Sequence, residues 1–92
     1  MSQLIEIPKT KYEIDFYTAE NSQYIESDCN SLVFINKGTS NVSIENVLLY
    51  PSQSLAIEGN LSEYTTQRFF VNFGTNTTGN NCVIIRKRYI LR

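Results

Sequence analysis

Apolar and polar residues alternate along much of the chain. Residues 11–17 (KYEIDFY) set Tyr12, Ile14 and Phe16 on one side and Lys11, Glu13 and Asp15 on the other. That spacing predicts a strand with one buried and one wet face, the aromatic and aliphatic row turned to the core. Residues 3–7 (QLIEI) predict a shorter strand, stopped by Pro8, which has no N–H for a ladder. Residues 31–36 (SLVFIN) are apolar on both parities. A strand of that kind is covered on both faces or lies in a subunit contact. The following Asn36-Lys37-Gly38-Thr39-Ser40-Asn41 reads as a hairpin loop, because Asn and Gly tolerate positive φ.

Further along, Val42 and Ile44 point inward and Ser43 and Glu45 outward, and Asn46 breaks the register before the apolar stretch 47–50. Pro51-Ser52-Gln53 turns the chain into a strand with Leu55 and Ile57 on the core side, and Gly59-Asn60 makes the next turn. Residues 67–73 (QRFFVNF) place Phe69, Val71 and Phe73 on one face and Arg68, Phe70 and Asn72 on the other. Residues 74–81 form a flexible-looking loop between two strands. Residues 82–92 predict a long closing strand, with Val83, Ile85, Lys87, Tyr89 and Leu91 on one parity. Residues 18–30 are polar apart from Tyr24 and Ile25, and read as a loop with a helical turn or a short strand. No segment supports a helix of more than two turns. The expectation is an all-β fold: one compact domain over residues 1–92, with 31–92 as the β core and 1–30 as N-terminal strands and loop. The architecture is a β-sandwich, jelly-roll-like or immunoglobulin-like, with a small β-barrel as the alternative.

Composition narrows the function classes. The 92 residues contain no His, and 18% are charged, below the globular average of about 25%. Low surface charge gives weak colloidal repulsion, which suits a protein packed against others; the turns of a small β-domain account for the same Asn, Ser and Thr. Net charge is −1, which argues against a nucleic-acid binder. The charge is uneven: residues 1–46 carry seven acids and three bases (−4), residues 47–92 two acids and five bases (+3). The two halves can attract within one fold or between copies. The opening MSQLIEIPKTKYEID lacks a basic leader followed by a long apolar stretch, and no apolar run reaches the ~20 residues of a spanning helix, so a membrane is not expected. Cys29 and Cys82 are too few for a disulfide scaffold or a structural zinc site, and two free thiols are expected.

No catalytic, cofactor-binding or metal-binding set emerges. Glu13 and Asp15 share a strand face, the pattern of a solvated face more than of an acid–base pair. Asp15 with Glu26 or Asp28 lacks the spacing of a calcium loop. Asp28 precedes Cys29, which raises a thiol pKa instead of activating it. The best working surface is Arg86-Lys87-Arg88-Tyr89, with Arg86 and Arg88 on one side of the strand. Such a surface docks on an acidic partner, holds phosphates, or simply charges an edge strand against stray pairing. Phe70, on an otherwise polar face, joins Arg86, Arg88 and Tyr89 as the candidate partner interface. Tyr50, Tyr64, Phe70 and Tyr89 also suit a carbohydrate groove, or ordinary packing.

Four stretches carry a resemblance: Asn36-Lys37-Gly38-Thr39, Val42-Ser43-Ile44, Pro51-Ser52-Gln53-Ser54-Leu55-Ala56-Ile57 and Phe70-Val71-Asn72-Phe73-Gly74, followed by the basic closing strand. Over residues 33–90 the sequence resembles small β-domains in virion proteins of tailed bacteriophages, especially those of Bacteroidetes hosts such as the crAss-like group. The resemblance implies a structural protein of the virion, assembled in the host cytoplasm: capsid decoration, head fibre attachment, or a collar or tail component. It implies other virion proteins and copies of itself as partners, and no enzymatic activity.

Overall fold

A computed structural model describes residues 11–90, which form eight strands and no helix. They are β1 (Lys11–Ala19), β2 (Gln23–Glu26), β3 (Ser31–Asn36), β4 (Val42–Ile44), β5 (Val47–Leu49), β6 (Ser54–Ile57), β7 (Arg68–Asn72) and β8 (Cys82–Ile90). The expected strand at residues 3–7 and the last two residues of the closing strand lie outside the described residues. Residues 18–30, read as a loop with a turn or short strand, contain β2.

The strands make two antiparallel four-stranded sheets, ordered β1-β8-β3-β6 and β2-β7-β4-β5. The pairs β1·β8, β2·β7, β3·β6 and β4·β5 are nested: first with last, second with second last, and so inward. A long antiparallel hairpin, with its tip at β4–β5, has been rolled up so that nearly every connection crosses between sheets. That is the eight-stranded jelly roll. The immunoglobulin-like and barrel alternatives do not have this order.

Residues 36–41, expected to be a hairpin loop, are instead a corner. β3 and β4 lie in different sheets, and β3 pairs with β6 and β8. The cause is the buried Asn36. Its side-chain NH2 donates to the carbonyls of Ser40 (2.9 Å) and Leu49 (3.0 Å), and its side-chain oxygen accepts from Gly38 N (3.0 Å). One amide thus satisfies three backbone groups that a turning chain takes out of the ladders. Asn30 does the same before β3, donating to the carbonyls of Asn60 (3.2 Å) and Glu63 (2.7 Å) and accepting from Tyr89 N (2.9 Å). The 74–81 loop, read as flexible, is hydrogen-bonded to this corner: Lys37 N donates to Asn81 O and Thr39 N to Gly79 O, both at 2.9 Å.

The core lies between the sheets. Leu32 and Phe34 of β3, Cys82 and Ile84 of β8, Val42 and Ile44 of β4, and Phe69 and Val71 of β7 are buried there, with Phe34 edge-on to Phe69 at 5.6 Å. Leu55 and Ile57 pack against this cluster from β6, as their parity predicts.

Candidate functional site

β1 carries the main departure from the alternation reading. Its apolar row does not face the core: Tyr12, Ile14 and Phe16 are 53%, 46% and 70% exposed. The row that turns toward the second sheet contains Asp15. On β8, opposite, the inward parity beyond Ile84 is Arg86 and then Arg88, and the register sets Asp15 against Arg86. Two guanidinium groups aimed between the sheets need a carboxylate, and Asp15 supplies it. Arg86 Nε donates to Asp15 Oδ1 at 2.8 Å, and an Arg88 terminal nitrogen donates to Oδ2. The other ends of the arginines cross to the chain around β2: Arg86 donates to Glu26 O at 2.7 Å and Arg88 to Asp28 O. Burial raises the Asp15 pKa, but hydrogen bonds and charge from Arg88 and Arg86 outweigh it and hold the carboxyl below its ordinary 3.8. The opposite charges of the two chain halves therefore meet inside one molecule, at this clasp and at Glu26–Arg68 (4.0 Å).

The candidate interface residues are not brought together. Arg86 and Arg88 occupy the clasp between the sheets. Tyr89 lies on the outer face of the β1-β8-β3-β6 sheet, where Lys87 Nζ sits 4.9 Å from its ring and 4.5 Å from that of Tyr12. Phe70 lies on the outer face of the other sheet, against Tyr24 with ring centroids 4.9 Å apart, and Arg68 caps Tyr24 at 4.9 Å. Tyr64 donates its hydroxyl to Asp28 Oδ1 at 2.6 Å.

Register alone reveals a surface that the site residues did not mark. On the outer face of β1-β8-β3-β6, residues opposite one another form rows. One row is Phe16, Ile85, Val33 and Ala56; the next is Thr18, Val83, Ile35 and Ser54. On the other side run Ile14, Lys87 and Ser31, with Glu58 just past the end of β6. The Phe16 row is apolar on all four strands, and the rows beside it add Val83, Ile35 and Ile14 among polar residues. The signal was present in residues 31–36, whose both-sided apolar pattern was compatible with a subunit contact.

Cys29 and Cys82 are both buried free thiols. Asn30 is bonded at Lys87 while Cys82 opens β8, so roughly 16 Å of strand separates the two thiols, too far for a disulfide. Burial pushes Cys82 up to about 11 and also raises Cys29, against the opposing effect of Arg88 and Arg86. An open cleft of about 470 Å3 is lined by Glu58, Gly59, Asn60, Glu63 and Tyr89. Among the described residues no group of three or more His, Cys, Asp or Glu side chains could hold a metal ion, and no helix is long and apolar enough to cross a membrane. No protein-family model matches the chain, and no curated protein or solved structure matches it.

Proposed function

We propose that this chain is a non-enzymatic structural protein of a phage particle, built into the virion in several copies and acting through protein–protein contacts. Capsid decoration, head fibre attachment and a collar or tail position all fit the reading. The observation that carries it is the apolar outer face of β1-β8-β3-β6, with Ile14 and Phe16 exposed beside Ile85 and Val33. The largest apolar patch on a small protein is often its contact surface. The jelly roll is an architecture that capsid domains use, though a fold does not fix a function. The molar mass of the purified chain by light scattering tests the reading. A defined oligomer is the expected result. A monomer that neither self-associates nor binds a virion protein overturns it.

A carbohydrate-binding or receptor-binding module is the second reading, favoured by the exposed Tyr24 beside Phe70 on the other sheet. Jelly rolls also serve lectins. Glycan-array binding that is lost in Phe70→Ala or Tyr64→Ala would establish it in place of the first.

A further inference from the structure

We propose that the occupant of the β1-β8-β3-β6 outer face is a second copy of this chain, packed sheet to sheet about a two-fold axis along the strands, between β8 and β3. The inference rests on the assembly reading and names its first contact. Two properties of the face point to its own copy.

The first is shape. Phe16 stands proud at the β1 edge, 70% exposed. Over β3 and β6, where Ser31 and Ala56 are small, the face has an open hollow of about 230 Å3 that runs past Val33, Ile85 and Lys87 as far as Ile14 on β1. Phe16 and Ala56 end the same row. An axis between β8 and β3 lays β1 over the partner's β6, so each Phe16 enters the hollow of the other copy. A two-fold contact repeats each such fit twice.

The second is charge. On the face the rows define, the charged side chains are Lys87 and Glu58, one of each sign. The same axis brings Lys87 of each copy within side-chain reach of Glu58 of the other. A face of net zero charge with one pair of opposite signs meets itself without repulsion. An acidic or basic partner would leave one of the two unmatched.

Area sets the strength of the contact. The four strands are 9, 9, 6 and 4 residues long. With β1 over the partner's β6 and β8 over its β3, the overlap at about 3.3 Å per residue and about 4.8 Å per strand is roughly 320 Å2 in projection. Two such faces remove about 630 Å2, below the ~1,000 Å2 of a stable specific interface, so the dimer is weak and forms as concentration rises. Aligned sheet-on-sheet packing at about −30° is the geometry in which two flat apolar faces close.

The test uses the full chain with lysine placed at either edge of the face. Phe16→Lys and Ala56→Lys alter exposed side chains, so neither depends on the core. Each buries a charge in the pocket that Phe16 fills and is expected to weaken self-association at least about thirty-fold, the scale of an anchor residue in a pocket, while Tyr24→Lys on the other sheet leaves it unchanged. The double variant Phe16→Cys/Ala56→Cys, treated with a short bis-maleimide that spans the gap of about 10 Å between stacked sheets, is expected to give a covalent species of twice the 10.6 kDa chain mass and nothing larger. A covalent ladder, or loss of association in Phe16→Lys alone, overturns the face-to-face arrangement in favour of pairing along the β1 edge. A wild-type oligomer insensitive to both lysines overturns it and leaves the assembly reading standing on another surface. A wild-type monomer overturns it outright, and binding of that monomer to another virion protein then decides the assembly reading.

Discussion

Asp15 bonds two arginines at once, and its behaviour with pH follows from that position. Its folded pKa lies below the ordinary value. The carboxylate therefore stabilises the fold above about pH 4, and that contribution is lost as pH falls through the folded pKa. The melting temperature is expected to drop on acidification below about pH 4, and to drop less in Asp15→Asn, which has no charge to lose. Equal acid sensitivity in both proteins would remove the clasp from the account. Ser52 follows Pro51 in the turn before β6 and holds φ 71°, with Gln53 N donating to Tyr50 O at 3.0 Å. A side chain at positive φ costs about 1–2 kcal/mol, and glycine costs about 0.5–1 kcal/mol in the unfolded chain, so Ser52→Gly is expected to stabilise by about 0.5–1 kcal/mol. Thermal unfolding checks it as a rise of a few degrees. Cys82, with its thiol pushed up to about 11 inside the core, is expected to resist a thiol reagent at about pH 8 until the chain unfolds. Rapid native labelling of Cys82, located by peptide mapping, would contradict its burial.

At the scale of elements, β3 depends on Asn30 just before it and Asn36 at its end. Asn36→Ala leaves two carbonyls and the Gly38 N–H without partners at a buried corner, and is expected to cost about 2–3 kcal/mol, read as a fall in the urea midpoint. Gly38→Ala is expected to be destabilising too, because a methyl there meets Gly79 O at 2.1 Å. Strand positions were legible in the sequence because side-chain alternation reports them directly. The choice of face was not. Alternation in β1 separates two rows but does not say which row is inside, and hydrophobicity gave the wrong answer. Arg86 and Arg88, distant in sequence, required Asp15 inward and turned Tyr12, Ile14 and Phe16 out. The corner after β3 was likewise unreadable, since Asn-x-Gly suits a hairpin and an arch alike. What distinguishes them is Leu49, thirteen residues on, whose carbonyl Asn36 holds. Phe70, Arg86, Arg88 and Tyr89, grouped as one interface from the sequence, fall on three different surfaces because strand parity and the sandwich separate them.

The whole molecule is a rolled hairpin with an inside and two outsides. One outside, around Tyr24, Arg68, Phe70 and Asn72, mixes aromatic with polar groups. The other has an apolar row running over four strands, and a chain of this size, burying only about two-thirds of its unfolded surface, gains from covering it. A single copy presents Phe16 at 70% exposure and Tyr24 at 60%, so an isolated chain offers both rings to solvent to a similar degree. Hydroxyl-radical footprinting at assembly concentration compares the two within one sample. The account predicts that Phe16, with Ile14 beside it, is strongly protected while Tyr24 is oxidised freely. Equal oxidation of Phe16 and Tyr24 at every concentration would contradict it.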